Sequence, residues 1–199
     1  MDFKTKILKN IDLLQKYILY LLYAQGKEPV KGKLWLHKEL FLVSKNDPDL
    51  DYEADFSAHL MGPYSEDLDE ALCQLESIKV IDVLGKDGGP IRLSPLGVEI
   101  AKEVAKGIPE KIKVIIDEMK SFVNDMTERE LLAYIYFSFP DMTRESVKLE
   151  EIAKDRLDLA IKLYSKEKVS LEKASNIAGL PVKDFINELR KKGIRDIYR

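Results

Sequence analysis

The sequence predicts a mainly α-helical protein: a winged helix-turn-helix with a short β-hairpin, a helical middle segment, and a C-terminal helix-turn-helix. Three observations point there. Apolar residues recur three and four positions apart along most of the 199-residue chain. Only residues 80–93 read as strands, two short apolar runs on either side of a glycine turn. Near the C-terminus, Gly179 separates two short amphipathic segments at helix-turn-helix spacing.

The first helix is carried by Ile7, Leu8, Ile11, Leu14, Ile18, Leu21 and Leu22, a single stripe that Gly26 stops. A second helix starts at Lys33, buries Leu34, Leu36, Leu40, Phe41 and Val43, and ends at Asn46 and Pro48. Acids then alternate at Asp47, Asp49, Asp51, Glu53 and Asp55 around Pro48, which predicts a solvated loop or an edge segment. Ser65 caps a third helix through Leu68, Leu72, Leu75 and Ile78. Val80, Ile81, Val83 and Leu84 precede Gly85-Lys86-Asp87-Gly88-Gly89-Pro90, and the run from Ile91 to Leu93 follows, giving the hairpin of the wing.

Ser94-Pro95 restarts a helix with a cap and a first-turn proline. From Pro109 a long amphipathic helix carries Ile112, Ile115, Ile116, Met119, Phe122 and Val123. Thr127 with Glu130 forms a capping box for the helix through Leu131, Leu132, Ile135 and Tyr136, which Pro140 closes. Residues 146–164 read as one further helix, and residues 170–178 and 181–192 as the final pair. The domains expected are a winged helix at 1–106, a helical extension at 107–146, and a linker helix with the C-terminal helix-turn-helix at 147–199.

Composition narrows the function. With 45% hydrophobic and 34% charged residues the chain is globular rather than disordered. It has no apolar run of spanning length and no apolar leader, so a cytoplasmic protein without membrane contact is expected. High charge with few amides hints at a heat-adapted source. Cys73 is the only cysteine, which excludes an intramolecular disulfide, and its apolar helical context predicts a small buried hydrophobe. The net charge of −3 is unevenly spread. Residues 148–199 hold 13 bases against 9 acids, a net of +4, whereas residues 1–147 carry −7, so a polyanion meets the C-terminal part first.

In that part Ala174 and Ala178 allow close helix approach, Gly179 supplies the left-handed turn, and Leu180, Phe185 and Leu189 fill the angle between the helices. If the second helix enters a major groove, Lys183, Asp184 and Asn187 face base edges while Arg190, Lys191 and Lys192 meet phosphates. Asn187, able to pair bidentately with adenine, is the strongest candidate for base readout. The same two-helix pattern also serves dimerisation and scaffolding, and a terminal Lys-Arg run also complements a helix dipole. The third helix of the winged module instead carries Glu66, Asp67, Asp69 and Glu70, and its wing has Lys86, Asp87 and Arg92. Those acids repel phosphate, so this module is expected to dock protein. Trp35, Phe41, Phe56 and Tyr64 are candidates for a partner groove or for core.

No enzyme, metal or cofactor is expected. His37 and His59 lack a metal-ligand motif. The acidic alternation fails as a calcium loop at Tyr52 and Ala58, residues 85–90 lack the ending of a phosphate loop, and Ser65 and Ser94 show no triad pattern.

Two resemblances follow from these residues. Leu21-Leu22-Tyr23-Ala24, Leu36-His37-Lys38-Glu39-Leu40-Phe41-Leu42 and Met61-Gly62-Pro63-Tyr64-Ser65, with Leu68, Leu72, Leu75, Val80 and Ile81, resemble the winged-helix family of YwgA-like and Panacea-type proteins over residues 1–150. The stretch from Leu131 to Tyr136 with Pro140, Thr143 and Ser146 resembles the segment that often follows it. That likeness implies antitoxin, adaptor or regulator roles through protein contact, without catalysis. Residues 155–195 resemble a small archaeal and bacterial antitoxin-like family through Leu171, Lys173, Ala174, Ala178, Gly179, Leu180, Phe185, Arg190, Gly193 and Ile194. Two departures are Pro181, in place of a capping Ser or Thr, and a sequence ending at Arg199 without a longer toxin-binding tail. The function expected is a dimeric DNA-binding transcriptional regulator with a protein-interaction winged module. The alternative is an antitoxin or adaptor that binds a partner protein.

Overall fold

The computed structural model describes residues 3–85 and 88–194. The fold is mainly α with one two-stranded antiparallel sheet. The chain divides into two compact units, residues 1–57 with 63–125 and residues 58–62 with 126–199, so the segment expected at 107–146 is shared between them. Lys86 and Asp87, expected at the wing tip, lie outside the described residues. Among the described residues no helix is long and apolar enough to cross a membrane.

The first unit opens with α1 (Phe3–Asn10) and α2 (Leu13–Lys27) where the apolar stripe predicts one helix. Asp12 divides them. Its carboxylate accepts from the Gln15 backbone N–H at 2.8 Å, and its own N–H donates to the Gln15 side chain at 3.3 Å, a reciprocal cap that starts a new helix inside an unbroken stripe. The chain leaves helical geometry at Ala24, Gln25 and Gly26, as Gly26 predicts. After α3 (Lys33–Ser44), the acidic stretch expected as loop or edge forms α4 (Pro48–Ala54). Asp47 caps the N–H groups of Asp49 and Leu50, Pro48 takes the first turn, and Asp49 and Asp51 lie at the positive end of the helix dipole. The proline and acids that read as breakers are therefore the helix start.

Ser65 caps α5 (Glu66–Ser77), accepting from Leu68 N–H at 3.0 Å. Cys73, expected to be buried, is exposed, because α5 turns Leu68, Ala71, Leu72 and Leu75 inward and Cys73 falls off that face. The hairpin pairs β1 (Ile81–Val83) with β2 (Ile91–Leu93), Ile81 opposite Leu93 and Val83 opposite Ile91. Val30 adds to its edge by exchanging backbone bonds with Ile91 at 3.0 and 2.8 Å. Then come α6 (Pro95–Gly107), capped by Ser94, and α7 (Glu110–Asn124). Gly97 is required where α6 meets the hairpin, since a β-carbon there would overlap the Val80 carbonyl. At the centre lies α2, with α4, α5, α6, α7 and β2 against it and Ile18, Leu19, Leu21 and Leu22 out of solvent.

This core holds titratable side chains. Phe41 and Phe56 pack edge to face within it, and the three residues His37, Lys38 and Glu39 are all buried. Lys38 Nζ donates to the Pro63 carbonyl at 2.8 Å, and His37 Nδ1 accepts from Ser65 N–H at 3.3 Å while its ring stacks on Tyr64. The Pro63-Tyr64-Ser65 turn that leads into α5 is thereby fastened to α3. Lys120, wholly buried, donates to the carbonyls of Leu21, Ala24 and Glu28 at 2.8, 3.1 and 2.7 Å, at the negative end of α2.

The second unit contains α8 (Glu128–Ser138), a 3-10 turn at Pro140–Thr143, α9 (Leu149–Lys154), α10 (Arg156–Ser165), α11 (Leu171–Ala178) and α12 (Val182–Lys191). Thr127 and Glu130 form the predicted capping box. The single helix expected over 146–164 is broken at Asp155, which leaves helical geometry at φ −103° and ψ 14° and pairs with Arg129.

Candidate nucleic-acid interface

The helix-turn-helix is built outward from a small core. On its inner side α10 buries Leu159, Ala160, Ile161, Leu163 and Tyr164, and the Tyr164 ring meets Phe185 of α12 edge to face at 6.2 Å. Ser170 caps α11, accepting from Lys173 N–H at 3.2 Å. Ala174, Ser175 and Ile177 are its buried residues, and α10 and α8 pack against it. Lys173 turns inward over the Tyr134 ring at 5.5 Å, and burial lowers its pKa.

Gly179 ends α11 in the left-handed region, at φ 72° and ψ 29°. Leu180 N–H donates back to the Ser175 carbonyl at 3.0 Å and Gly179 N–H to that of Asn176 at 3.1 Å, closing the last turn. Arg156, on α10, covers this end. Its guanidinium donates through Nη2 to the Asn176 carbonyl at 2.8 Å and through Nε to that of Ile177, and it rests over the Phe137 ring at 4.1 Å. A β-carbon at Gly179 would lie 2.6 Å from Nη1 of Arg156, so glycine is needed there for both its φ and its size. No local motif marks Arg156, because its targets stand 20 and 21 residues downstream.

Pro181 opens α12 without a side-chain cap. This helix buries Phe185 and Leu189 and turns Lys183, Asp184, Asn187 and Arg190 to solvent; Lys191 and Lys192 beyond them are exposed too. Lys183, Asn187 and Arg190 follow at i, i+4 and i+7 and form one stripe. Neither Lys183 nor Arg190 makes an ion pair among the described residues. Lys191 is paired with Glu188 at 2.6 Å and Lys192 with Asp158 at 2.6 Å, a contact that holds the Asp158 carboxyl below its ordinary pKa. Asp184 sits in the first turn, beside the positive helix end. The six sequence-predicted residues thus share one helix and its C-terminal cap but differ in charge: two cations without an ion pair among the described residues flank Asn187, and two lysines are engaged within the unit.

At the base of this unit the exposed Lys166 pairs with the buried Glu130. Burial pushes the Glu130 carboxyl up, but Lys166 Nζ at 2.7 Å and the Thr127 hydrogen bonds outweigh that and hold it below the ordinary carboxylate range. In the first unit, α5 exposes Glu66, Asp67 and Glu70, Asp69 is paired with Lys33 at 2.8 Å, and Arg92 with Asp82 at 3.4 Å. Of the candidate groove aromatics, Phe41 and Phe56 are core, while Trp35 and Tyr64 are half-buried.

A model of an uncharacterised protein family (UPF0175) matches residues 126–198, the stretch that builds the helix-turn-helix and the helices beneath it. No curated protein matches the chain.

Proposed function

We propose that the chain is a DNA-binding transcriptional regulator that carries out no catalysis, with α12 as the helix that enters the major groove of duplex DNA. The observation that carries this reading is the Lys183, Asn187 and Arg190 stripe: exposed, on the second helix of a helix-turn-helix, with neither cation in an ion pair among the described residues. Asn187 reads an adenine edge, and Lys183 and Arg190 hold the flanking phosphates. Lys191 and Lys192 contribute less, because phosphate has to displace Glu188 and Asp158. One short helix makes few contacts, so the regulator works as a dimer on two half-sites roughly 34 Å apart. It acts in the cytoplasm.

Selection from a random duplex pool by the full chain at low salt tests this. Enrichment of a two-half-site sequence is the expected result, and a chain that retains no duplex overturns it.

A second reading, an antitoxin or adaptor that holds a partner protein, is favoured by the exposed acids of α5 and by the two engaged lysines. It predicts a protein that co-purifies stoichiometrically with the full chain and binds equally well when Asn187 is alanine.

A further inference from the structure

Between α1 and the end of α5 the first unit leaves an apolar groove of about 410 Å³, lined by Phe3, Ile7, Ile11, Gln15, Gln74 and Ile78 among others. Phe3 is 59% and Ile78 38% exposed, so the groove presents apolar side chains at its mouth. At Gln74 and Gln15 it adjoins the start of α2 and the acidic hollow that Asp12, Glu53, Asp67 and Glu70 line. The two helices bounding the groove are opposite in sign. α1 carries Lys4, Lys6 and Lys9 and no acid, whereas α5 carries Glu66, Asp67, Asp69, Glu70 and Glu76 and no base. Lys4 is engaged with Glu99 and Asp69 with Lys33, but Lys6 and Lys9 make no ion pair among the described residues.

We propose that this groove is the docking surface for a second copy of the chain, α1 of each copy lying against α5 of the other about a two-fold axis. A two-fold interface uses the same patch twice and must be self-complementary. A patch with a largely apolar lining, Lys6 on its α1 side and, on its α5 side, Gln74 hydrogen-bonded to Glu70 and Ser77 next to Glu76 meets that condition, since the rotation sets lysines against carboxylates on both sides. A basic or an acidic partner would be repelled by one side. The inference names the surface for the dimer invoked above, and its test reads mass alone, so it stands or falls separately from DNA binding.

The experiment is light scattering on the full chain with two variants, Lys6→Glu with Lys9→Glu and Glu70→Lys with Glu76→Lys. The wild-type chain is expected to be a dimer that weakens with salt, and each variant to lose at least about tenfold in self-association through like charges facing each other. An equimolar mixture of the two variants regains the dimer, because each acidic α1 then meets a basic α5 and each basic α1 an acidic α5. Phe3→Ser weakens the dimer without changing charge. A wild-type chain that is monomeric at every concentration, a dimer indifferent to these substitutions, or a mixture of two folded variants that stays monomeric overturns the proposal.

Discussion

The guanidinium of Arg156 occupies the space that a β-carbon on Gly179 would need. The turn between α11 and α12 is therefore set twice, by a backbone conformation that favours glycine and by a cation that satisfies the last carbonyls of α11. Gly179→Ala is expected to cost about 1–3 kcal/mol, combining left-handed strain with displacement of Arg156. Arg156→Ala removes the second part, so the double variant loses less than the two singles added together. Chemical denaturation of the four chains, followed by circular dichroism, reads this; strict additivity contradicts it.

Asn187→Ala is expected to relax discrimination at one base pair by about 1–3 kcal/mol and to leave the salt dependence of binding unchanged. Competition between the selected duplex and single-base variants measures it. Equal losses on every sequence would place Asn187 on the backbone instead.

Burial, reinforced by the charge on Lys38, lowers the His37 pKa from 6.5 to about 4. Between those values the unfolded chain holds the extra proton, so this contribution is complete above about pH 6.5 and is lost as pH falls toward 4. Glu39, pushed up to about 8 chiefly by burial, acts in the opposite sense from its ordinary 4.5 up to 8. The difference between wild type and His37→Asn isolates the histidine. Urea midpoints of the two chains are expected to converge as the pH drops from 6.5 to 4, and a constant gap contradicts a neutral buried His37.

Lys120 binds three carbonyls, and its charge attracts the buried Glu39 carboxyl. Lys120→Met is expected to destabilise the first unit by roughly 3–5 kcal/mol, because it leaves the polar groups around it without their cation. Above about pH 8, where the Glu39 carboxyl ionises, adding Glu39→Gln recovers part of that loss. Independent effects in the double variant would show that the two groups do not interact.

Helices whose boundaries rest on local chemistry were legible in the sequence. Ser65, Ser94 and Thr127 with Glu130 all cap where their spacing predicts, and Gly179 breaks the final pair. Asp12 and Asp155 were missed because the apolar period runs through both, so periodicity predicts one helix where a local break makes two. At Pro48 the error had the opposite sign: the residue that forbids a helix interior favours its first turn, and Asp47 before it decides which applies.

Within the candidate site, the exposed face of α12 followed from helical spacing, with Phe185 and Leu189 inside and Lys183, Asn187 and Arg190 outside. The engagement of Lys192 by Asp158 and the Arg156 clamp were not legible, since both are made by α10, far off in sequence. The same holds for Lys38 and Lys120, charged residues whose burial depends on carbonyls 25 to 99 positions away.

The central claim concerns the exposed Lys183 and Arg190 of α12, and fluorescence anisotropy of a labelled duplex, titrated with the full chain across a range of salt concentrations, addresses it most directly. Binding is expected to weaken steeply with salt, with Lys183→Ala and Arg190→Ala each lowering the slope by about one and Lys191→Ala by less. Binding whose salt slope is the same in all four chains, or no binding even at low salt, would contradict the account.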